Sequence, residues 1–450
     1  MYLARRTVGF CGSSRALRCL SAMAAPDCGD AVLSKRAQLV AGKGAGGHVA
    51  EWKALLEEAE RPVNVNLTQG FPDFEGSRTA RFEAAEAIMR LESQRLNQYS
   101  PLVGLSSLMD SIANLYTRLW PKIGEMDAAK NVVVTTSGTE AISVAMQTLV
   151  SPGDEVILFE PFFPWYAPGV RLAGGEVKLV RLDMEDGFAI DRTRLLEAFD
   201  PKRTKMIVLN TPHNPTGRVL TREEVRSVHE VASTSEIGCV VFSDEAYEGQ
   251  CWAPGGHEKV QTMVEDLNAE ACARVKCLTM GTASKLCSLT GWRVGWLTGP
   301  EEIIKGAKAM HGYSTYCAPS PFQHGIAKAL DGFEDLDPDT CFDGTGALMR
   351  ANAEKVTSAM RAMGFKVYKP EGGYFVVADC SPLGFETNME FCRTLLDECQ
   401  VAVAPMNMFY GRPPEELSPS ERCLVRLAIC KTEPVIDEAI ARMKKLKAAN

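Results

Sequence analysis

The sequence lacks any uninterrupted apolar run near the ~18 residues needed to cross a bilayer, which excludes a membrane-spanning helix in the body of the chain. It lacks a basic block as well. Its 49 Lys and Arg are outnumbered by 57 Asp and Glu, giving a net charge of −8. That balance argues against nucleic-acid binding through phosphate neutralisation. Cysteine is not scarce, with 15 residues scattered from Cys11 to Cys430, but Cys-x-x-Cys spacing is absent. A zinc or redox site of that type is therefore not expected, and neither is a metal; the thiols read as buried and free in a reducing compartment. Internal repeats and long low-complexity tracts are also missing.

What is present suits a large globular protein. A chain of 450 residues, 46% hydrophobic and 24% charged, predicts two or three folded units. The first 26 residues stand apart. They carry Arg5, Arg6, Arg15 and Arg18, with Ser and Ala between them and no acidic residue before Asp27. This is transit-peptide composition, and Arg15 and Arg18 interrupt the apolar centre a secretory signal would need. Residues 1–26 are thus expected to direct mitochondrial import, with a plastid or cytoplasmic location as alternatives. GKGAGG at 42–47 matches G-x-G-x-x-G, but SKRAQLVA before it makes a poor buried strand, so it reads as a loop.

From about residue 130 short apolar runs alternate with stretches of helical spacing. The runs are NVVVTT, DEVILFE, TKMIVLN, GCVVFSD and KCLTMG; TEAISVAMQTLV and TREEVRSVHEVAS are helical examples. The pattern predicts an α/β fold, a large domain whose mainly parallel sheet is sandwiched by helices. Leu105, Leu108, Met109, Ile112, Leu115 and Leu119 mark one face of a helix before it. After residue 320, a helical stretch, VYKPEGGYFVVADC and CLVRLAIC read as a smaller α+β domain. The expected division is an N-terminal arm packing on the small domain (27–78), a large domain (79–320) and a small domain (321–450).

Ligands of such sheets bind beyond the carboxyl ends of the strands. There the sequence places SGT (Ser137, Gly138, Thr139), Phe163, Asn214, Asp244 with Tyr247, and finally Thr282, Lys285 and Arg293. Ser-Gly-Thr at a helix start offers N–H groups and hydroxyls to a phosphate, although it is also a common cap. Phe163 can stack on a flat ring or serve the core. Asn214 sits in a turn made rigid by two prolines and a glycine. Asp244 ends a buried run, where a carboxylate is costly without a cationic partner. Together they match the needs of pyridoxal 5′-phosphate: a lysine for its aldehyde, an acid for its ring nitrogen, donors for its phenolic oxygen, and hydroxyls and a cation for its phosphate.

With these motifs in order, NTPHNPTG, SDEAY and TASK…GWRVGW, the chain resembles the fold-type I pyridoxal-phosphate aminotransferases of class I/II over about residues 45–447. QGFPDF at 69–74 and EPFF at 160–163 make it most similar to the kynurenine aminotransferase / glutamine transaminase K / cysteine-S-conjugate β-lyase group. The resemblance implies that Lys285 is the Schiff-base lysine and proton carrier, Asp244 the ring-nitrogen partner, and Asn214 and Tyr247 the donors to the phenolic oxygen. Phe163 would stack on the cofactor. Gly138, Thr139, Thr282 and Arg293 would hold its phosphate. Arg426 would grip the substrate α-carboxylate, helped by Gly70 and Asn214, and Trp52 would close the pocket. Tyr99 and Tyr316 would reach the neighbouring subunit's site in a homodimer. Cys317 stands where the group has a polar residue, which leaves the substrate preference open.

The implied activity is ping-pong transamination from a kynurenine, glutamine, methionine or aromatic type of L-amino acid to a 2-oxo acid. β-Elimination from cysteine S-conjugates on the same site, and aspartate or aromatic transamination, are the alternatives. A non-catalytic pyridoxal-binding sensor would need a DNA-binding domain, and the short N-terminal stretch lacks a helix-turn-helix pattern. No nucleic-acid or membrane partner is expected.

Overall fold

Runs rich in β-branched and apolar residues become the strands of three sheets, of seven, four and two strands. The computed structural model describes residues 34, 38, 56–57, 63–90, 96–263, 274–333 and 344–446. The expected transit segment, the GKGAGG loop and Trp52 lie outside these. A two-residue strand, β1 (Val65–Asn66), comes first. The large sheet follows: β2 (Val132–Thr135), β3 (Glu155–Glu160), β4 (Glu176–Arg181), β5 (Thr204–Asn210), β6 (Val240–Asp244), β7 (Lys276–Thr282) and β8 (Gly295–Thr298). Their order is β2-β8-β7-β6-β5-β3-β4. Only β8 runs against the rest, pairing antiparallel with both β2 and β7.

Alternate residues of β3 serve opposite faces. Val156 and Leu158 pack with Ala141, Val144 and Ala145 of the helix Gly138–Leu149. Ile157 packs on the other side with Val225 and Val228 of the helix Arg222–Ala232. The latter helix starts in a capping box, Thr221 with Glu224, as its sequence TREE invites. The helix Ser106–Leu119 buries Leu108, Met109, Ile112 and Leu115. The sheet is thus covered on both faces, which lets its strands be continuously apolar.

The second sheet contains β9 (Lys366–Val367), β10 (Phe375–Asp379), β12 (Ala404–Pro405) and β13 (Leu424–Ala428), in the antiparallel order β12-β13-β10-β9. β1 pairs in parallel with β11 (Val401–Ala402), so chain from before the large sheet lies on the C-terminal unit. Helices Thr345–Ala362, Asn388–Cys399 and Glu433–Met443 surround it. One apolar cluster runs from Val156 and Leu158 to Val376, Val425 and Met349, so the two sheets share a core.

Glu160 fastens them by charge as well. It is fully buried at the end of β3. It accepts from the backbone N–H groups of Gly411 (2.5 Å) and Arg412 (3.2 Å), and from the Arg412 guanidinium (2.5 Å). Every described cysteine is unbridged, and all but Cys277 and Cys317 are buried.

Candidate active site

Because β2, β3, β5, β6 and β7 run in parallel, their carboxyl ends open on one side. A cavity of about 340 Å³ lies there, between the large sheet and β13 of the small one. Gly138, Thr139, Phe163, Asn214, Asp244, Tyr247, Thr282, Lys285 and Arg293 line it. Gly70 and Arg426 close it from the other side. Tyr99 and Tyr316 do not reach it within this chain. They are 82% and 51% exposed and meet edge to face with ring centroids 5.1 Å apart.

Thr282 ends β7 and caps the short helix Ala283–Leu286, its side chain accepting from the Ser284 N–H at 3.2 Å. That turn aims Lys285 into the cavity. Its Nζ donates to the Gly70 carbonyl and lies 5.1 Å from the Tyr374 ring centre and 5.7 Å from that of Tyr247. Burial brings the Lys285 amine down to about 8, helped by the charges of Arg426 and Arg293 and opposed by Cys430 and Asp244. A useful fraction of the amine is therefore neutral, and so nucleophilic, near neutral pH.

Asp244, at the end of β6, is 4% exposed. Oδ1 accepts from the Ala246 N–H at 3.1 Å, and Oδ2 from the Tyr166 hydroxyl at 2.5 Å. Burial raises the carboxyl to about 6, while both hydrogen bonds pull it back. Behind it, Glu245 and Glu248 close on the buried Lys259 ammonium, with His257 2.8 Å from Glu245. Glu245, Glu248 and His257 could by type hold a metal ion, but the ammonium already fills the space between the two carboxylates. The ammonium also lies 3.8 Å from the Tyr116 ring centre.

Arg426 comes from the middle of β13 and is 7% exposed. Nη1 donates to Asn214 Oδ1 (2.9 Å) and Nη2 to the Thr68 carbonyl (2.7 Å). Its Cζ lies 3.8 Å from the Phe375 ring centre and 4.4 Å from that of Phe409. Burial brings the guanidinium down to about 10, which leaves it charged at neutral pH. Asn214 is fixed in turn by its N–H to Asn210 Oδ1 (2.7 Å), next to a cis peptide bond to Pro215.

The phosphate end is built from close approaches. A Cβ on Gly138 would sit 3.0 Å from Met280 Sδ, and one on Gly295 only 2.5 Å from the Gly138 nitrogen. Glycine at both positions keeps the start of the helix Gly138–Leu149 bare, against Thr282. The Ser284 hydroxyl, buried in the cavity wall, has no protein partner. A bare helix start, an unpartnered hydroxyl and the Arg293 cation fit a phosphate; Lys285 fits an aldehyde; Asp244 fits a ring nitrogen. The residues present therefore fit pyridoxal phosphate.

Sequence reasoning missed Tyr166 and Ser284. PFFPWY contains four aromatics, and nothing in its spacing says that the Tyr166 tip turns inward. Ser284 stood beside Lys285 without a signal of its own.

The family model for aminotransferase class I and II matches residues 62–443, and the chain belongs to that family. A probable N-succinyldiaminopimelate aminotransferase of Mycobacterium tuberculosis is 35% identical over 88% of this chain and 95% of its own. The solved structure of N-succinyldiaminopimelate aminotransferase from that organism covers 92% of this chain and 100% of its own, with a TM-score of 0.78 and 34% identity. A kynurenine–oxoglutarate transaminase 3 of Rattus norvegicus is 30% identical over 86% of each chain. A methionine aminotransferase of Escherichia coli (strain K12) is 30% identical over 86% of this chain and 93% of its own. The protein is a pyridoxal-phosphate-dependent aminotransferase of fold type I that exchanges amino groups between amino acids and 2-oxo acids.

Proposed function

We propose that this aminotransferase takes amino donors with uncharged side chains, of the kynurenine, methionine, glutamine or phenylalanine type. The observation that carries the reading is the charge inventory of the cavity. Among its described lining residues the cations are Lys285, Arg293 and Arg426, and each has an assigned partner. The remaining wall includes Leu56, Ile142, Trp165, Met408 and Phe409. A second carboxylate on the donor would find no further cation among these described residues, and burying it unpaired is costly.

In this reading the cofactor, when bound, draws electrons from the substrate Cα and so acidifies its proton. Lys285 would hold the cofactor through its side-chain amine, and that amine, once freed, would accept the substrate Cα proton and deliver it to the carbon of the cofactor's aldehyde group. Asp244 keeps the ring nitrogen protonated. Asn214 and Tyr247 donate to the phenolic oxygen, and Phe163 fixes the plane of the ring. Gly138, Thr139, Thr282 and Arg293 hold the phosphate. Arg426 orients the donor by its carboxylate, with Gly70 and Asn214 beside it.

Assembly as a homodimer, with Tyr99 and Tyr316 entering the partner's site, is part of the proposal. Tyr313 (96% exposed), Tyr316 and Tyr99 offer an aromatic surface suited to it. So is the division into arm, large and small domains, supported by the distinct seven- and four-stranded sheets. Mitochondrial import is proposed from the arginine-rich, acid-free first 26 residues alone.

The test is an absorbance titration of the purified holoenzyme with single amino acids. Apolar and aromatic donors should bleach the visible band of the lysine-bound cofactor and yield their 2-oxo acids, faster than aspartate or succinyldiaminopimelate does. Faster bleaching by the dicarboxylic donors would overturn the substrate class. Pyruvate and ammonia release from cysteine S-conjugates, without bleaching by other donors, would replace it with β-elimination.

A further inference from the structure

Tyr166 stands outside every role assigned above. It is the first residue of the helix Tyr166–Ala173 and is 2% exposed. Its ring meets the Phe163 ring edge-on, centroids 5.6 Å apart at 76°. Its hydroxyl lies 2.5 Å from Asp244 Oδ2. One side chain therefore touches both the ring assigned to stack on the cofactor and the carboxylate assigned to its nitrogen. Burial pushes the Tyr166 phenol well above its usual range, reinforced by the Asp244 charge. It stays protonated through the working pH range, so it is always the donor and Asp244 always the acceptor.

We infer that Tyr166 is a positioning residue for transamination: its hydroxyl holds Asp244 ionised and in one rotamer, while its ring squares Phe163 against the same site. The inference rests on the aminotransferase reading and on Asp244 serving the ring nitrogen. The geometry gives Asp244 two fixed donors, the Ala246 N–H on Oδ1 and the Tyr166 hydroxyl on Oδ2. The other titratable groups around this carboxylate are Glu245, next in the chain, Tyr247 and Lys285. Glu245 is tied to Lys259 and His257 on the far side. Tyr166 is thus the one titratable group in hydrogen-bond contact with the Asp244 carboxylate among the described residues. A charge-assisted bond of this length is among the stronger ones available to a neutral donor.

The substitution Tyr166→Phe keeps the ring and removes the bond. In the holoenzyme we expect kcat to fall about tenfold with the donor KM little changed, as for loss of one hydrogen bond to a charged group. Two readouts other than activity should move with it. The pH midpoint of the cofactor's visible band should shift by about half a unit or more, and the cofactor should dissociate more readily from Tyr166→Phe than from the parent. The thermal midpoint should stay within a few degrees. In an Asp244→Asn background, where the carboxylate is gone, Tyr166→Phe should have no additional effect on the band. If the band midpoint and cofactor affinity match the parent, or if the two substitutions act independently, Tyr166 is only a packing residue and the inference fails. A parent enzyme without transaminase activity would instead sink the functional reading, whatever Tyr166→Phe does.

Discussion

The Arg426 guanidinium donates to the Asn214 side-chain oxygen across 2.9 Å, joining β13 of the small sheet to the turn after β5 of the large one. In the proposed function, carboxylate recognition and cofactor recognition would share this hydrogen bond. With Nη2 on the Thr68 carbonyl, the guanidinium plane is fixed before a substrate arrives. Arg426→Lys keeps the charge and loses the fork. The donor KM should rise about 100-fold, the value of a charge-assisted two-pronged contact, while the cofactor band stays. Steady-state kinetics and the spectrum, measured on one preparation, separate the two.

Lys285 sets a pH dependence. With the amine brought down to about 8, roughly one side chain in ten is neutral at pH 7, against about one in a few thousand for an ordinary lysine. Since the neutral form reacts, capture of pyridoxal phosphate by the apoprotein should speed up as pH rises to about 8 and then level off. Borohydride trapping at a series of pH values measures this. A rate still climbing toward pH 10 would mean an unperturbed amine. Lys285→Ala should trap no cofactor, and its turnover should fall by about 10³ or more.

The buried Lys259 makes a stability prediction. Lys259→Met leaves Glu245 and Glu248 facing each other without their cation. Removing one partner of a buried ionic group costs about 3–5 kcal/mol, which denaturant titration would register as a lower midpoint at unchanged slope.

Gly281 makes another. A Cβ there would fall 2.3 Å from Trp296 Nε1 and 2.6 Å from the Tyr116 hydroxyl oxygen, two groups hydrogen-bonded to each other at 2.8 Å. Gly281→Ala should cost about 1–3 kcal/mol by overpacking. Gly291→Ala, with nothing within 4 Å of the new carbon, should stay within about 0.5 kcal/mol of the parent. Chemical denaturation of the pair checks both.

The alternation of runs such as TKMIVLN with helical stretches announced the parallel sheet, because strands buried on both faces are mostly apolar along their whole length. β4 and β8 were not legible. β4 lies at the sheet edge and carries Lys178 and Arg181 among partly exposed neighbours. β8 has only four residues and sits inside a segment dominated by glycine and tryptophan. At the site, the residues read from strand ends do gather around one cavity, since parallel strands deliver their carboxyl ends to one edge. Tyr166 was hidden because a ring in an aromatic cluster gives no sign of where its hydroxyl points. Lys259 was hidden because a buried ammonium depends on carboxylates that only folding brings to it.

The seat of Arg412 on Glu160 bears on what a shortened message could encode. A transcript ending before codon 411 would leave Glu160 enclosed by the large sheet with the Gly411 and Arg412 donors and the guanidinium gone. It would also strip β13 from its neighbours. Such a product would not be a smaller enzyme awaiting its missing half. It would be a chain that has lost Arg426 and its strand together with the partners of Glu160, so the reading frame is functionally indivisible here even though the strands form separate sheets.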